Sequence, residues 1–180
     1  MRLSTKGEYA SRAMLELSLH YDERPLHIRD ISKAQSIPSR FLEQILLLLK
    51  RAGYLKSRKG HGGGYYLAKP PSAISVAEVI RVLEGPLAPI DCVSVMAHEA
   101  CPLESVCGLR WLWKEVRDSV AGILERTTFA DLVAKQNLGR IGVKEMPSGE
   151  AATPGSSQAP PRKEAKRNTA DAAKRRGGSK

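Results

Sequence analysis

The chain has 180 residues, 42% of them apolar, and a formal net charge of +10 at pH 7. That length suits one packed domain with an extension, and the longest aliphatic run, residues 45–49, falls far short of the roughly 18 residues needed to cross a bilayer. The start, Met1-Arg2-Leu3-Ser4-Thr5-Lys6-Gly7-Glu8, lacks the basic-then-apolar layout of a signal peptide, so a cytoplasmic protein with no membrane partner is expected.

The charge is unevenly spread. Residues 147–180 hold eight Lys/Arg and three Asp/Glu, half of the excess, and no Val, Ile, Leu, Met or aromatic residue. Such a segment cannot bury enough apolar surface to offset its ordering entropy, and a disordered basic tail is expected there. Positive charge favours polyanionic partners through counterion release, but the moderate excess on residues 1–146 does not carry that conclusion alone.

Residues 3–20 are predicted to be helical, with Tyr9, Ala13, Met14 and Leu17 on one face. The run Tyr21-Asp22-Glu23-Arg24-Pro25 ends it. A second short helix places Ile28, Ile31 and Ala34 on one side. Pro38 disfavours helical angles at Ile37 and suits the first turn of a third helix. That helix extends to about residue 52, carries Phe41, Leu42, Ile45, Leu46, Leu48 and Leu49, and stops at Gly53. Two helices joined by a tight turn, the second polar on one side, form a helix-turn-helix.

A strand at 54–58, a loop Lys59-Gly60-His61-Gly62-Gly63-Gly64 and a return strand at 65–68 make a basic, glycine-tipped hairpin. A phosphate-cradling loop would open a helix, whereas this one leads into Tyr65-Tyr66 and Lys69-Pro70-Pro71. The fold expected is mainly α with a small β-hairpin wing: a winged helix-turn-helix followed by a long dimerisation helix. Residues 74–83 add another short helix. Residues 104–126 form the long one, where Leu109, Val116 and Ile123, and likewise Trp113 and Val120, recur every seven positions, widened by Leu112 and Leu124. That repeat marks a seam for a partner helix, with packing against the chain's own body as the alternative. The expected partition is a DNA-binding domain at 1–83, a cysteine loop at 84–108, the dimerisation helix and an extension at 109–146, and the tail at 147–180.

All three cysteines, Cys92, Cys101 and Cys107, fall within 16 residues. An odd number in a cytosolic chain is no disulfide framework. The Cys-x8-Cys-x5-Cys spacing is not the Cys-x2-Cys of a zinc knuckle. It suits a loop around something larger than one ion, and an iron–sulfur cluster takes thiolate ligands. Three inert buried cysteines are the alternative, at odds with Asp91, His98, Glu99, Glu104 and Arg110 close by.

The motifs Met1-Arg2-Leu3-Ser4, Lys6-Gly7, Tyr9-Ala10, Phe41-Leu42-Glu43-Gln44, Ala52-Gly53-Tyr54-Leu55, Lys59-Gly60 and Gly63-Gly64-Tyr65, with the cysteines and the stretch Thr127-Thr128-Phe129-Ala130-Asp131-Leu132-Val133 closing the long helix, resemble the Rrf-two family of bacterial winged-helix regulators, which includes the IscR, NsrR and RirA types. The resemblance covers roughly residues 1–135. It implies a homodimer on a near-palindromic site in double-stranded DNA, with a cluster, [2Fe-2S] or [4Fe-4S], on the cysteines of each protomer reporting iron, redox state or nitric oxide. Two departures stand out. The gap between the first two cysteines is longer than in the IscR type, and Arg110 stands where that type has a ligating histidine; a guanidinium stays protonated and cannot ligate. The NsrR type implies Glu8 of the partner subunit as fourth ligand, with His98 as its rival.

For DNA, Ser39, Arg40, Glu43 and Gln44 face outward if Leu42, Ile45, Leu46 and Leu49 face in. Arg suits guanine, Gln adenine and Glu cytosine. The resemblance places Glu43 and Gln44 at base-reading positions and Ser39 and Arg40 near bases or phosphates; Arg58, Lys59 and His61 of the wing are expected on the backbone or minor groove. The alternatives are a thiol- or zinc-based redox regulator without a cluster, and an iron–sulfur partner protein with vestigial DNA binding. No nucleophile–base or carboxylate pair suggests an enzyme.

Overall fold

The computed structural model describes residues 3–140; the expectation for 147–180 concerns residues outside that range. Helix α1 (Thr5–Leu19) starts at Ser4, whose Oγ accepts from the Gly7 N–H at 3.2 Å. It buries Ala10, Ala13, Met14 and Leu17. Helices α2 (Ile28–Gln35) and α3 (Ser39–Arg51) flank a turn in which Ser36 takes the left-handed region at φ 52°. Ser32 Oγ donates to the Ile37 carbonyl at 2.6 Å across it, and the Ile37 side chain is buried. Ala34, expected on the apolar side of α2, is exposed: Ile31 is the buried residue of that short helix.

Strands β1 (Leu55–Arg58) and β2 (Gly64–Leu67) pair antiparallel, Leu55 opposite Leu67 and Arg58 opposite Gly64. A third strand segment joins them from between α1 and α2: Leu26 N–H donates to Tyr65 O at 2.9 Å and Tyr65 N–H to Leu26 O at 2.8 Å. This pairing dictates Gly64, and the hairpin's own backbone dictates Gly63. A Cβ on Gly64, at φ +145°, would lie 2.3 Å from Leu26 O, and one on Gly63 would lie 2.3 Å from Arg58 O. Only glycine lets the wing strand approach that closely.

Helix α4 (Val76–Glu84) opens with a capping box between Ser75 and Glu78. A loop with a 3-10 turn at Asp91–Val93 carries the cysteines to α5 (Gly108–Arg126), which is followed by α6 (Phe129–Arg140). The long helix therefore begins at Gly108, four residues later than expected. Residues 101–106 instead close tight turns, Glu104 N–H on Cys101 O at 3.0 Å and Val106 N–H on Leu103 O at 3.1 Å.

The long helix also does not include Thr127–Val133. Thr128 Oγ1 accepts from Asp131 N–H at 3.2 Å while the Asp131 carboxylate accepts from Thr128 N–H at 2.8 Å. That reciprocal cap starts α6 afresh. Between the helices, Thr127 O accepts from Val76 N–H at 2.9 Å and Phe129 N–H donates to Ile74 O at 3.1 Å. Phe129 is fully buried in the same cluster as Met14, Leu42, Leu46 and Ile74, and α6 packs against α1. The core of the winged helix is thus completed from beyond the cysteine loop and α5, not by residues 1–83 alone.

Candidate nucleic-acid interface and cysteine centre

Helix α3 turns Leu42, Ile45, Leu46 and Leu49 inward, which leaves Ser39, Arg40, Glu43 and Gln44 exposed on its first two turns. Phe41 and Leu48 are not part of the core: Phe41 is 49% exposed and rests edge-on against the Tyr9 ring of α1, centroids 6.4 Å apart. Ser39 Oγ donates to Ser32 Oγ at 3.1 Å, tying the start of α3 to α2. Lys50 Nζ donates to Ser57 Oγ at 2.6 Å, tying its end to the wing. Helix α3 is therefore held at both ends by polar contacts and along its length by the core.

Arg58, Lys59 and His61 are exposed on the wing. Arg58 Nη2 donates to Gly62 O at 3.0 Å, which stiffens the tip. Ser39 and Glu43 share a cleft of about 590 Å³ with His27, Arg29, Gly64 and Tyr65, between α2, α3 and the wing. Sequence reasoning missed His27 and Arg29. The start of α2, the first helix of the helix-turn-helix, was the available signal, since that helix crosses the backbone in such motifs.

The cysteines are all free; Cys92 and Cys107 are half-buried and Cys101 is exposed. Cys92 sits in the 3-10 turn and Cys107 caps α5. Arg117 of α5 holds the first of these places: its Nη1 donates to Val93 O and its Nε to Asp118 Oδ1 at 2.8 Å. Glu104 braces the loop between Cys101 and Cys107. Its carboxylate pairs with Arg110 Nη2 at 2.6 Å and His98 Nε2 at 3.1 Å. The hydrogen bond from His98, aided by the charge of Arg110, holds the Glu104 carboxyl below its ordinary range.

Cys92 opens onto a recess of about 100 Å³ lined also by His98, Arg110, Lys114 and Arg117. Arg110 Nε has no hydrogen-bond partner and almost no accessible surface, on a side chain that is 38% exposed. Among the described residues, no three His, Cys, Asp or Glu side chains converge on one metal-ion position. The chemistry of the donor set, three free thiols on one turn-rich loop, is that of an iron–sulfur ligand set, although Cys92 alone of the three lines the recess. Glu8 stands exposed on the first turn of α1, paired with Arg12 at 3.4 Å, and is not among the residues lining the recess.

A helix-turn-helix with a basic, glycine-tipped hairpin defines a winged-helix DNA-binding protein. A family model, Rrf2, described as "Iron-dependent Transcriptional regulator", matches residues 3–135. The chain belongs to this Rrf-two (Rrf2) family of DNA-binding transcriptional regulators. It is 35% identical over 138 residues to "Protein rrf2" of Nitratidesulfovibrio vulgaris, covering 77% of this chain and 91% of that one. It is 37% identical over 134 residues to the HTH-type transcriptional regulator CymR of Bacillus subtilis, covering 74% and 91%. The solved structure of CymR, titled the global cysteine regulator of B. subtilis, superposes with a TM-score of 0.66 at 35% identity, over 75% of this chain and 98% of that one. That of T. potens IscR gives 0.63 at 32% identity, over 76% and 88%. No helix among the described residues is long and apolar enough to cross a membrane.

Proposed function

We propose that the chain is a cytoplasmic homodimeric regulator whose affinity for a near-palindromic promoter site is set by an iron–sulfur cluster on Cys92, Cys101 and Cys107. The observation that carries this reading is the placement of three free thiols on the single link between α4 and α5, one of them, Cys92, beside Arg110, Lys114 and Arg117. When bound, a cluster supplies an anionic, redox- and iron-responsive centre held by thiolates.

Glu8 of the partner subunit is the fourth ligand in this reading, with His98 second. The Glu8–Arg12 pair is exposed, and pairs of that kind contribute about 0–1 kcal/mol, so the carboxylate is cheaply released. His98 must first break from Glu104. An oxygen ligand on a soft centre leaves one labile corner, which suits a sensor.

The chain's own residues connect the site to DNA. Arg117 fastens the Cys92 turn to α5, and Cys107 is the residue from which α5 starts. Drawing the thiols together moves that start relative to the turn. In a dimer joined along α5 through Leu109, Trp113, Val116, Val120 and Ile123, this alters the spacing of the two heads. Glu43 and Gln44 then read base edges from the major groove, Ser39 and Arg40 contact bases or phosphates, and Arg58, Lys59 and His61 the adjacent backbone or minor groove. The cluster shifts the DNA equilibrium only by its differential affinity for the two head spacings.

The test compares anaerobically prepared protein with chelator-treated protein by fluorescence anisotropy on one operator at fixed salt. Affinities differing by about tenfold or more are expected, about 1.4 kcal/mol; equal affinities contradict the coupling.

A second reading, direct thiol or zinc sensing, is favoured by the exposure of Cys101 and by the similarity to CymR. Iron and sulfide content separates it from the first. An iron–sulfur partner protein with vestigial DNA binding is disfavoured by the exposed polar face of α3 and the basic wing.

A further inference from the structure

The aliphatic run at residues 45–49 splits on folding. Ile45, Leu46 and Leu49 enter the core, whereas Leu48 is exposed and Leu47 is 43% exposed. Neither is among the partly buried apolar residues packed against that core. Leu48 shares a flank of α3 with Phe41, seven positions before it, and Phe41 rests there on the Tyr9 ring. Leu47 stands elsewhere. Arg40, Gln44, Leu47 and Arg51 are all exposed, and their spacing of four, three and four positions makes them one stripe along the helix. That stripe lies opposite the inward face of Leu42, Ile45, Leu46 and Leu49. Leu47 is its one apolar member, a single turn beyond Glu43 and Gln44.

An aliphatic side chain amid polar ones on an outward stripe gains nothing from water. In the major groove, the apolar group that a base edge presents is the C5 methyl of thymine. Arg40 and Arg51 stand on either side of Leu47 along the stripe, where cations suit the phosphates flanking a groove. Charge of that sign around a lone leucine favours DNA over an apolar protein surface as the occupant.

We propose that Leu47 is a specificity-determining residue, packing against the C5 methyl of one thymine in each half-site of the operator. The inference rests on the reading that α3 lies in the major groove, and adds an apolar contact to the polar reading by Glu43 and Gln44. The helix rises about 6 Å from Glu43 to Leu47, against about 3.4 Å per base pair. The thymine therefore lies within about two base pairs of the pair that Glu43 reads.

The experiment uses the full chain, in whichever of its anaerobic or chelator-treated forms binds DNA more tightly. Wild type selects its operator from random duplexes. Each thymine is then replaced singly by deoxyuridine, which removes the methyl and keeps every hydrogen-bonding group, and binding is read by fluorescence anisotropy at fixed salt. One deoxyuridine position per half-site is expected to weaken wild-type binding about fourfold, the loss of one buried methyl. Leu47→Ala is expected to bind the intact and the substituted duplex equally. Leu47→Met, which keeps an apolar end, is expected to retain the discrimination. Both variants are expected to unfold at the wild-type midpoint, because the side chain lies outside the core.

A wild-type scan without a sensitive thymine overturns the proposal and leaves the polar reading by α3 intact. So does a sensitive thymine whose effect persists undiminished in Leu47→Ala, or one more than about two base pairs from the position relaxed by Glu43→Ala. A wild-type chain that selects no sequence overturns both.

Discussion

In the winged-helix head Met14, Ile31, Leu42, Leu46, Ile74 and Phe129 are fully buried, whereas α5, at 19 residues the longest helix described, buries none of its side chains. The link before it is similar: Val95, Met96, Leu103 and Val106 are exposed, Val106 by 80%, and on α5 Trp111 is 68% exposed. One region is determined within a single chain by ordinary close packing. The other presents apolar surface and free thiols, which a second copy and a bound group satisfy in the proposed reading. That reading puts regulation in the part of the molecule that one chain leaves incomplete.

The largest expected effect lies on the packed side. Phe129→Ala removes a fully buried ring and is expected to destabilise the head by about 3–5 kcal/mol, read as a lower denaturant midpoint at constant slope. Replacing all three cysteines by serine is expected to change the unfolding free energy by less than about 0.5 kcal/mol, as for substitutions away from a core. A large loss from the serines would erase the contrast between the regions.

The next effect concerns the incomplete side. Leu109 and Ile123 are exposed ends of the seven-residue repeat, by 63% and 50%. The double variant Leu109→Glu, Ile123→Glu is expected to sediment as a monomer while unfolding at the wild-type midpoint. A variant that stays dimeric places the seam elsewhere.

Within the head, Glu43→Ala is expected to relax preference at one base pair by about 1–3 kcal/mol. Lys59→Ala is expected to weaken binding to every sequence alike and to reduce the salt slope by about one. A binding panel over single-base operator variants distinguishes the two, and the reverse pattern contradicts their assignment.

The smallest effect is at the cap of α6. The Thr128 hydroxyl and backbone hold the Asp131 carboxyl below its ordinary value of 3.8. A depressed carboxylate stabilises the fold above its unfolded pKa and loses that contribution as pH falls through the folded one. Wild type is thus expected to melt slightly higher than Asp131→Asn above about pH 4, the gap closing in stronger acid. A gap that widens in acid contradicts the cap.

Much of the head was legible because its signals are local. Leu42, Ile45, Leu46 and Leu49 announce the inner face of α3, and with it the exposure of Ser39, Arg40, Glu43 and Gln44. The glycine run marks the wing, although the reason for Gly64, the approach of Leu26 from outside the hairpin, involves a partner far off in sequence. The return of Phe129 to the core was illegible for the same reason: its register is set by hydrogen bonds to residues 74–76, while the apolar repeat extends smoothly towards it. The delayed start of α5 reflects competition. Glu104 is engaged by His98 and Arg110 within a segment whose turns precede the helix. At the cysteine centre the residue types were legible, but the pairing of Glu104 with both His98 and Arg110 was not, because it depends on how the loop turns.

The most direct measurement is an absorbance spectrum with iron and acid-labile sulfide assays on protein purified without oxygen. Visible charge-transfer bands with iron and sulfide in matching amounts, lost when Cys92, Cys101 and Cys107 are replaced by serine, are the expected result. Colourless protein that stays colourless after reconstitution contradicts the cluster and leaves a winged-helix regulator whose three cysteines act as thiols or hold zinc.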